Sequence, residues 1–134
     1  KMLDELNDYL YEYGFDTQLD SDGIYIPEYN IDIIIEDSIY IIRPFDSDTV
    51  TAYSIEEAIN YIRDFSYSLE FSKEMEKNNY SYEKKSPIYF SIGNDKVKII
   101  DGHIYFENEN GETTVYVNIP SVISAIQSKF LGEK

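Results

Sequence analysis

Two blocks of short Ile- and Tyr-rich runs flank one long segment with helical periodicity. Ser54 and Glu57 have the spacing of a capping box, which predicts that a helix begins there, and apolar residues recur at helical spacing from Ile55 to Met75. The flanking runs are rich in residues with high strand propensity and are separated by turn residues, which favours antiparallel strands. Because helical and strand periodicities occupy separate segments, the pattern predicts an α+β fold.

The segments predict the order α-βββ(β)-α-ββββ-α. A first amphipathic helix covers residues 2–13 and stops at Gly14, and a last helix opens at Pro120 and ends at Gly132. Asp-Gly and Asn-Gly dipeptides between the later runs predict tight hairpins. The predicted strands cover residues 23–27, 29–35, 38–43, 49–53, 87–92, 96–101, 103–108 and 113–118. We therefore expect antiparallel meanders packed with helices.

A shift of 65 residues aligns residues 34–65 with 99–130 without a gap and yields seven identities in 32 positions. This predicts an internal pseudo-repeat of about 65 residues, with halves 2–65 and 66–131 inside a single domain of residues 1–134. The alternative is that two hairpin-plus-helix segments resemble each other without a repeat. The sequence leaves open whether the halves share one sheet or form two.

The charge of this chain is large and unevenly placed. It has 26 acidic and 11 basic residues, for a net charge of −15. Residues 2–57 hold 15 acids and one base, Arg43, whereas residues 58–134 hold 11 acids and nine bases. A charge of this sign repels nucleic acids and anionic lipid surfaces, and it attracts basic proteins. An acidic interaction surface in the first half is one interpretation, and a surface that only confers solubility is the other.

Residues that carry catalysis or bind cofactors are scarce. The chain has no cysteine and a single histidine, His103, and its glycines are isolated turn and cap residues. These counts argue against thiolate chemistry, nucleotide-binding loops and histidine-based catalysis. The segment from Asp20 to Gly23 resembles part of a calcium loop, but Gln18 and Tyr29 occupy the anchoring ligand positions, so an Asx-type turn is the better prediction. We expect no enzyme, no metal site and no cofactor.

No apolar run in the sequence is long enough to span a bilayer, and no basic segment followed by an apolar one precedes these runs. The sequence therefore predicts a protein without a membrane association. The absence of cysteine fits a reducing cytoplasm, which is the expected location.

The predicted contact residues combine carboxylates with tyrosine. Asp4, Asp8 and Glu12 recur every four residues along the first helix, and Tyr11 lies off its leucine stripe. A tyrosine adds contact area beside carboxylates that pair with arginine and lysine. We expect the surplus carboxylates to share one ordered face. The predicted partner-binding residues are Asp4, Asp8, Tyr11, Glu12, Asp16, Asp20, Asp22, Glu28, Asp32, Glu36 and Asp37.

Small size, acidity and a high content of Ile, Tyr, Asn and Asp resemble the DNA-mimic proteins of phages and mobile elements, including anti-restriction and anti-CRISPR inhibitors. The resemblance implies a non-enzymatic inhibitor whose carboxylates replace phosphates in the basic groove of a nuclease or another nucleic-acid-handling protein. A phage-encoded inhibitor would act in the host cytoplasm. Direct binding of nucleic acid is not expected.

Two alternatives stay open. The order of helices and strands is similar to that of the small dimeric type III secretion chaperones, for which a homodimer and apolar client grooves would matter. An immunity protein for a basic nuclease toxin would use the same electrostatics with a different partner. The sequence is therefore compatible with a monomer or a homodimer.

Overall fold

The computed structural model describes residues 2–132, with side chains through residue 130, and it confirms the α+β class and the order of the helices. The helices are α1 (Met2–Glu12), α2 (Ile55–Lys77) and α3 (Ile119–Gly132). The strands are β1 (Gln18–Leu19), β2 (Ile24–Ile26), β3 (Ile31–Glu36), β4 (Ile39–Pro44), β5 (Val50–Ala52), β6 (Glu83–Ser86), β7 (Tyr89–Ile92), β8 (Asp95–Ile100), β9 (His103–Glu107) and β10 (Thr113–Tyr116).

The chain divides into two compact units, residues 1–63 and 64–134. The first unit contains a five-stranded sheet in the order β1-β2-β3-β4-β5, and the second contains one in the order β10-β9-β8-β7-β6. All pairings are antiparallel, and neighbouring strands follow one another in sequence. Each sheet is therefore a meander, as the hairpin signals in the sequence predict.

The first sheet buries one face beneath α1. Cross-strand partners such as Ile24, Ile33 and Ile42 are fully buried and define this inner face. Tyr40 also points to the inner face, and its hydroxyl donates a 3.1 Å hydrogen bond to the carbonyl oxygen of Met2 in α1. Since α1 contacts β1 and β3 and buries its leucines, this helix covers the inner face of the sheet.

The second unit has a continuous apolar core. The ring centroids of Phe71 in α2 and Phe90 in β7 lie 4.7 Å apart, and the inner faces of the strands pack against residues of α2 and α3. Apart from the buried Asp95 and the exposed Ile100, side chains along β8 and β9 alternate between apolar inward-facing positions and largely polar outward-facing positions. The buried core residues are Phe71, Met75, Phe90, Ile92, Val97, Ile99, Ile104, Phe106, Ile119, Val122, Ile123 and Ile126.

The starts of α2 and α3 are determined by local capping. The Oγ atom of Ser54 accepts a 3.1 Å hydrogen bond from the backbone N–H of Glu57, which confirms the predicted helix start. The side chain of Asn118 accepts a 2.9 Å hydrogen bond from the backbone N–H of Ser121 in the same way. These caps satisfy N–H groups that have no partner inside the helix.

Two strands were missed in the sequence. β1 lies between the predicted first helix and the predicted strand of residues 23–27, and β6 lies between the predicted central helix and the predicted strand of residues 87–92. Both are short edge strands with largely exposed side chains. An edge strand of this kind does not need an apolar face, so its sequence lacks the alternation that marks a half-buried strand.

The 65-residue pseudo-repeat is not confirmed. That shift matches Tyr40 with Tyr105, but Tyr40 is buried on an inner face, whereas Tyr105 lies half-buried between the inward-facing residues of β9. The corresponding hairpin turns, with positive φ at Asp37–Ser38 and at Asp101–Gly102, are 64 residues apart. Because a one-residue slip moves every strand side chain to the opposite face, the matched identities do not occupy equivalent positions.

Candidate acidic protein-binding surface

Helix α1 carries three of the predicted contact carboxylates on its solvent side. Leu6 and Leu10 are fully buried, whereas Asp4, Asp8 and Glu12 are exposed. Since an α-helix rises 1.5 Å per residue, carboxylates spaced by four residues recur about every 6 Å along one side. We call Asp4, Asp8 and Glu12 the acidic stripe.

The acidic stripe does not favour the stability of α1 along its whole length. Asp4 lies in the first turn, where a negative charge is favourable, but Glu12 lies in the last turn, which contains no basic residue. Like charges four residues apart also repel by about 0.2–0.5 kcal/mol per pair. The spacing of these like charges and the position of Glu12 therefore oppose helix formation.

Tyr11 is the most exposed aromatic side chain of α1, with 78% of its surface accessible. It lies three residues after Asp8, so the ring is a neighbour of that carboxylate on the helix surface. The phenol ring therefore adds apolar contact area next to the acidic stripe.

Four predicted contact residues lie in the loops of the first unit and are exposed: Asp16, Asp20, Asp22 and Glu28. The Oδ1 atom of Asp20 accepts hydrogen bonds from the backbone N–H groups of Asp22, at 2.8 Å, and Gly23, at 3.0 Å. This contact is the Asx-type turn that the sequence predicts. Within residues 2–132, no group of three or more His, Asp or Glu side chains is arranged to hold a metal ion.

The remaining predicted residues lie on β3 or in the turn that follows it. Asp32 forms an ion pair with Arg43, its direct cross-strand partner on β4. Glu36 ends β3, and Asp37 occupies the turn with a φ of 52°. Asp32 is thus compensated inside the chain, while Glu36 and Asp37 are exposed at one end of the β3–β4 hairpin.

The structure does not bring all eleven predicted residues to one face. The helix α1 covers the inner face of the first sheet, whereas Asp32 alternates with the buried Ile31 and Ile33 and therefore points to the opposite face. The acidic stripe and Asp32 consequently lie on opposite sides of this sheet. Of the predicted residues, Asp4, Asp8, Tyr11 and Glu12 belong together on α1.

A groove beside α1 was not predicted from the sequence. Its volume is about 320 Å³, and it is lined by Tyr9, Tyr13, Ile55, Glu56, Ile59 and Asn60. We call these six residues the tyrosine groove. In the sequence, Tyr9 and Tyr13 belong to a cluster of tyrosines among carboxylates, and this composition alone does not predict a groove. Their approach to α2 depends on the tertiary structure.

A second cavity, of about 680 Å³, lies in the second unit and was also missed. Its wall includes the ion pair between Asp95 and Lys129, whose Oδ2 and Nζ atoms are 2.6 Å apart. The stacked rings of Tyr80 and Phe130, with centroids 4.8 Å apart, form another part of the wall. Asp95 lies outside the predicted strands, but in the structure it belongs to β8 and faces inward on the same side as Val97.

The single histidine lies in a hairpin. The side chain of His103 is exposed, and its Nδ1 atom lies 3.1 Å from the carbonyl oxygen of Asp101 in the turn between β8 and β9. Its ring centroid is 6.3 Å from that of Tyr105. These contacts hold the imidazole against its own hairpin.

Comparison of the chain with protein-family models, with curated proteins and with solved structures finds no significant match. Within the described residues, no helix combines the length and the apolar character that crossing a bilayer requires. On the described surface of the first unit, α1 presents the acidic stripe and Tyr11.

Proposed function

We propose that this chain is a non-enzymatic acidic binding protein, which inhibits a nucleic-acid-handling protein by occupying its basic groove. In this proposal the partner is a nuclease or another protein that binds nucleic acid through Lys and Arg. The proposed origin is a phage or mobile element, and the proposed place of action is the host cytoplasm, as for an anti-CRISPR or anti-restriction inhibitor.

The observation that carries this proposal is the acidic stripe. Its three carboxylates are exposed at about 6 Å intervals on a helix, and Glu12 occupies a position that the helix dipole disfavours. A helix holds the backbone of these residues in a fixed spacing, so little backbone conformational entropy is lost when a cationic groove binds them. The excess of 15 acids over one base in residues 2–57 supplies a long-range field of the same sign.

The loop carboxylates and Tyr11 extend the proposed contact. Asp16, Asp20, Asp22 and Glu28 are exposed in the same unit and add to its negative potential. Asp32 contributes least, because Arg43 neutralises it. The contact is therefore centred on α1, with the loops contributing to attraction and to association rate.

The experiment is a displacement titration against a panel of basic nucleases and CRISPR effectors, each bound to labelled DNA. Added protein should release the DNA, and its affinity for the effector should fall as salt rises from about 50 to 200 mM, because the contact is electrostatic. A fully neutral binder would show little dependence on salt. If the protein displaces DNA from no member of the panel at low salt, the proposal is contradicted.

A further inference from the structure

The tyrosine groove lies between α1 and the first two turns of α2, within the first unit. Tyr9 and Tyr13 are about half exposed, at 47% and 53%, while Ile59 is buried. The groove thus has aromatic faces that are open to solvent and an apolar base. Such a surface is suited to a flat side chain with an apolar stem.

Carboxylates border the tyrosine groove on both helices. Glu56 lines it from α2. On α1, Glu5 and Glu12 are four residues before and three residues after Tyr9, so both are neighbours of that ring on the helix surface. Three acids therefore lie at or beside the groove, and among the described residues Arg63 is a base that contacts its wall.

Arg63 also shows what one wall of the groove can bind. Its guanidinium carbon lies 5.0 Å from the centroid of the Tyr13 ring, which is a cation–π contact. The same chemistry is available at Tyr9, whose ring lies one helical turn away and has carboxylates on either side. Aromatic faces combined with carboxylates match a guanidinium better than an ammonium ion, because guanidinium is planar, stacks on rings and pairs with two oxygens.

We infer that the tyrosine groove binds an arginine side chain from a basic segment of the partner protein. The inference rests on the proposed function, since the partner is the same cationic protein that the acidic stripe attracts. Charge complementarity selects this occupant: the three bordering carboxylates outnumber Arg63, so an incoming cation is attracted. In this inference the acidic stripe attracts any cation, whereas the tyrosine groove prefers arginine to lysine.

The test compares two labelled peptides of equal length and charge, one containing arginines and the other lysines between glycine and serine spacers. The complete chain should bind the arginine peptide about 2–5-fold more tightly, which is the ratio expected from a cation–π contact at an exposed site. Tyr9→Leu keeps apolar volume but removes the aromatic face, so it should weaken binding of the arginine peptide more than binding of the lysine peptide and thereby abolish the preference. If Tyr9→Leu impairs folding, Tyr9→Met, which is unbranched, favourable in a helix and also without an aromatic face, serves the same purpose.

The control is Phe45→Leu, which removes a more exposed ring of the first unit, 80% accessible, that does not line the groove. This variant should retain the full preference for arginine. Equal binding of both peptides, or a preference that survives Tyr9→Leu, would overturn the inference. Tighter binding of a peptide with leucines in place of the arginines would also overturn it, because the occupant would then be apolar.

The outcomes also separate this inference from the proposed function. If both peptides bind equally, and their affinity still falls with salt and on charge reversal of the acidic stripe, the groove does not select arginine but the acidic function stands. If neither peptide binds at low salt, both the inference and the acidic function fail.

Discussion

The Oδ1 atom of Asp64 accepts a 2.7 Å hydrogen bond from the backbone N–H of Gly102, which lies 38 residues later in the chain. Its Oδ2 atom accepts a second bond, of 3.0 Å, from the N–H of Asp101. One buried carboxylate of α2 therefore anchors the turn between β8 and β9. We expect Asp64→Asn to lower the free energy of unfolding by about 1–3 kcal/mol, because one N–H group loses its acceptor. Urea unfolding followed by circular dichroism measures this change.

Asp101→Asn is the matched control, since it makes the same chemical change at an exposed carboxylate of the turn. Asn tolerates the positive φ of this position, so stability should change by less than about 0.5 kcal/mol. Equal effects of the two substitutions would contradict the anchoring role of Asp64.

Breaking the ion pair of Asp95 and Lys129 should be costly, because it leaves a buried carboxylate without a cation. The side chain of Asp95 is 7% exposed and that of Lys129 is 36% exposed. Lys129→Met leaves the carboxylate without its cation, and we expect a loss of about 3 kcal/mol, the lower end of the range for broken buried pairs. Lys85→Met removes the cation from exposed Glu83 instead and should cost less than about 1 kcal/mol. Thermal or urea unfolding that ranks the two variants equally would refute this difference.

Gly23 lies where β2 approaches the backbone of β3. A Cβ atom at this position would lie 2.5 Å from the carbonyl oxygen of Ile33, so the strands would have to move apart. We expect Gly23→Ala to lower the free energy of unfolding by about 3 kcal/mol. Gly111→Ala should lower it by only about 1 kcal/mol, because an added Cβ contacts no other atom there and only the positive φ is unfavourable. Chemical unfolding of the two variants checks the order, and an equal loss would show that β2 and β3 accommodate the methyl group.

Tyr40 makes the fold sensitive to alkaline pH. Burial raises the pKa of the Tyr40 phenol above its usual value, and the negative charge of Glu5 raises it further. Below pH about 10 the phenol is protonated in both folded and unfolded chains, so it adds no pH dependence. Above that pH the unfolded chain loses the proton first, and stability falls as pH rises toward the pKa of the folded state. Unfolding measured from pH about 8 to 11 should show a smaller decline for Tyr40→Phe than for the unmodified chain.

If the free energy of unfolding falls as steeply with pH in Tyr40→Phe as in the unmodified chain, groups other than Tyr40 cause the alkaline sensitivity. The variant also loses the hydrogen bond to the carbonyl of Met2, so its stability at neutral pH should be lower by about 0.5–1.5 kcal/mol. The two effects can be separated. The lost hydrogen bond lowers stability already at neutral pH, whereas the titration of Tyr40 changes stability only toward the alkaline end of the range.

The parts of the fold that were predictable are those determined by neighbouring residues. The Ser54 cap, the turn at Asp101–Gly102 and the alternation along β8 are local, and each has a recognisable sequence pattern. The edge strand β6 was missed because its residues are mainly polar and exposed. The pseudo-repeat is not confirmed, because identities between Ile- and Tyr-rich strands do not report which face a side chain occupies.

The surplus of charge in the first unit was predictable by counting, but its distribution was not. The pairing of Asp32 with Arg43 depends on the register of β3 and β4, and this register also points Asp32 away from α1. The tyrosine groove joins Tyr9 to Ile59, which are 50 residues apart in sequence. Helical periodicity did predict the acidic stripe, because its three carboxylates lie on a single helix.

The most direct test of the proposed function compares two charge reversals that change the net charge equally. One converts the acidic stripe to lysine (Asp4→Lys, Asp8→Lys and Glu12→Lys), and the other converts three exposed acids of the second unit (Glu83→Lys, Glu109→Lys and Glu112→Lys). Affinity for the basic effector that the displacement panel identifies is measured for both at low and physiological salt. We predict that reversal of the acidic stripe weakens binding at least about tenfold and reduces its salt dependence, while the second variant binds within about threefold of the unmodified chain. Equal weakening by both variants, or no weakening by the first, would contradict the account.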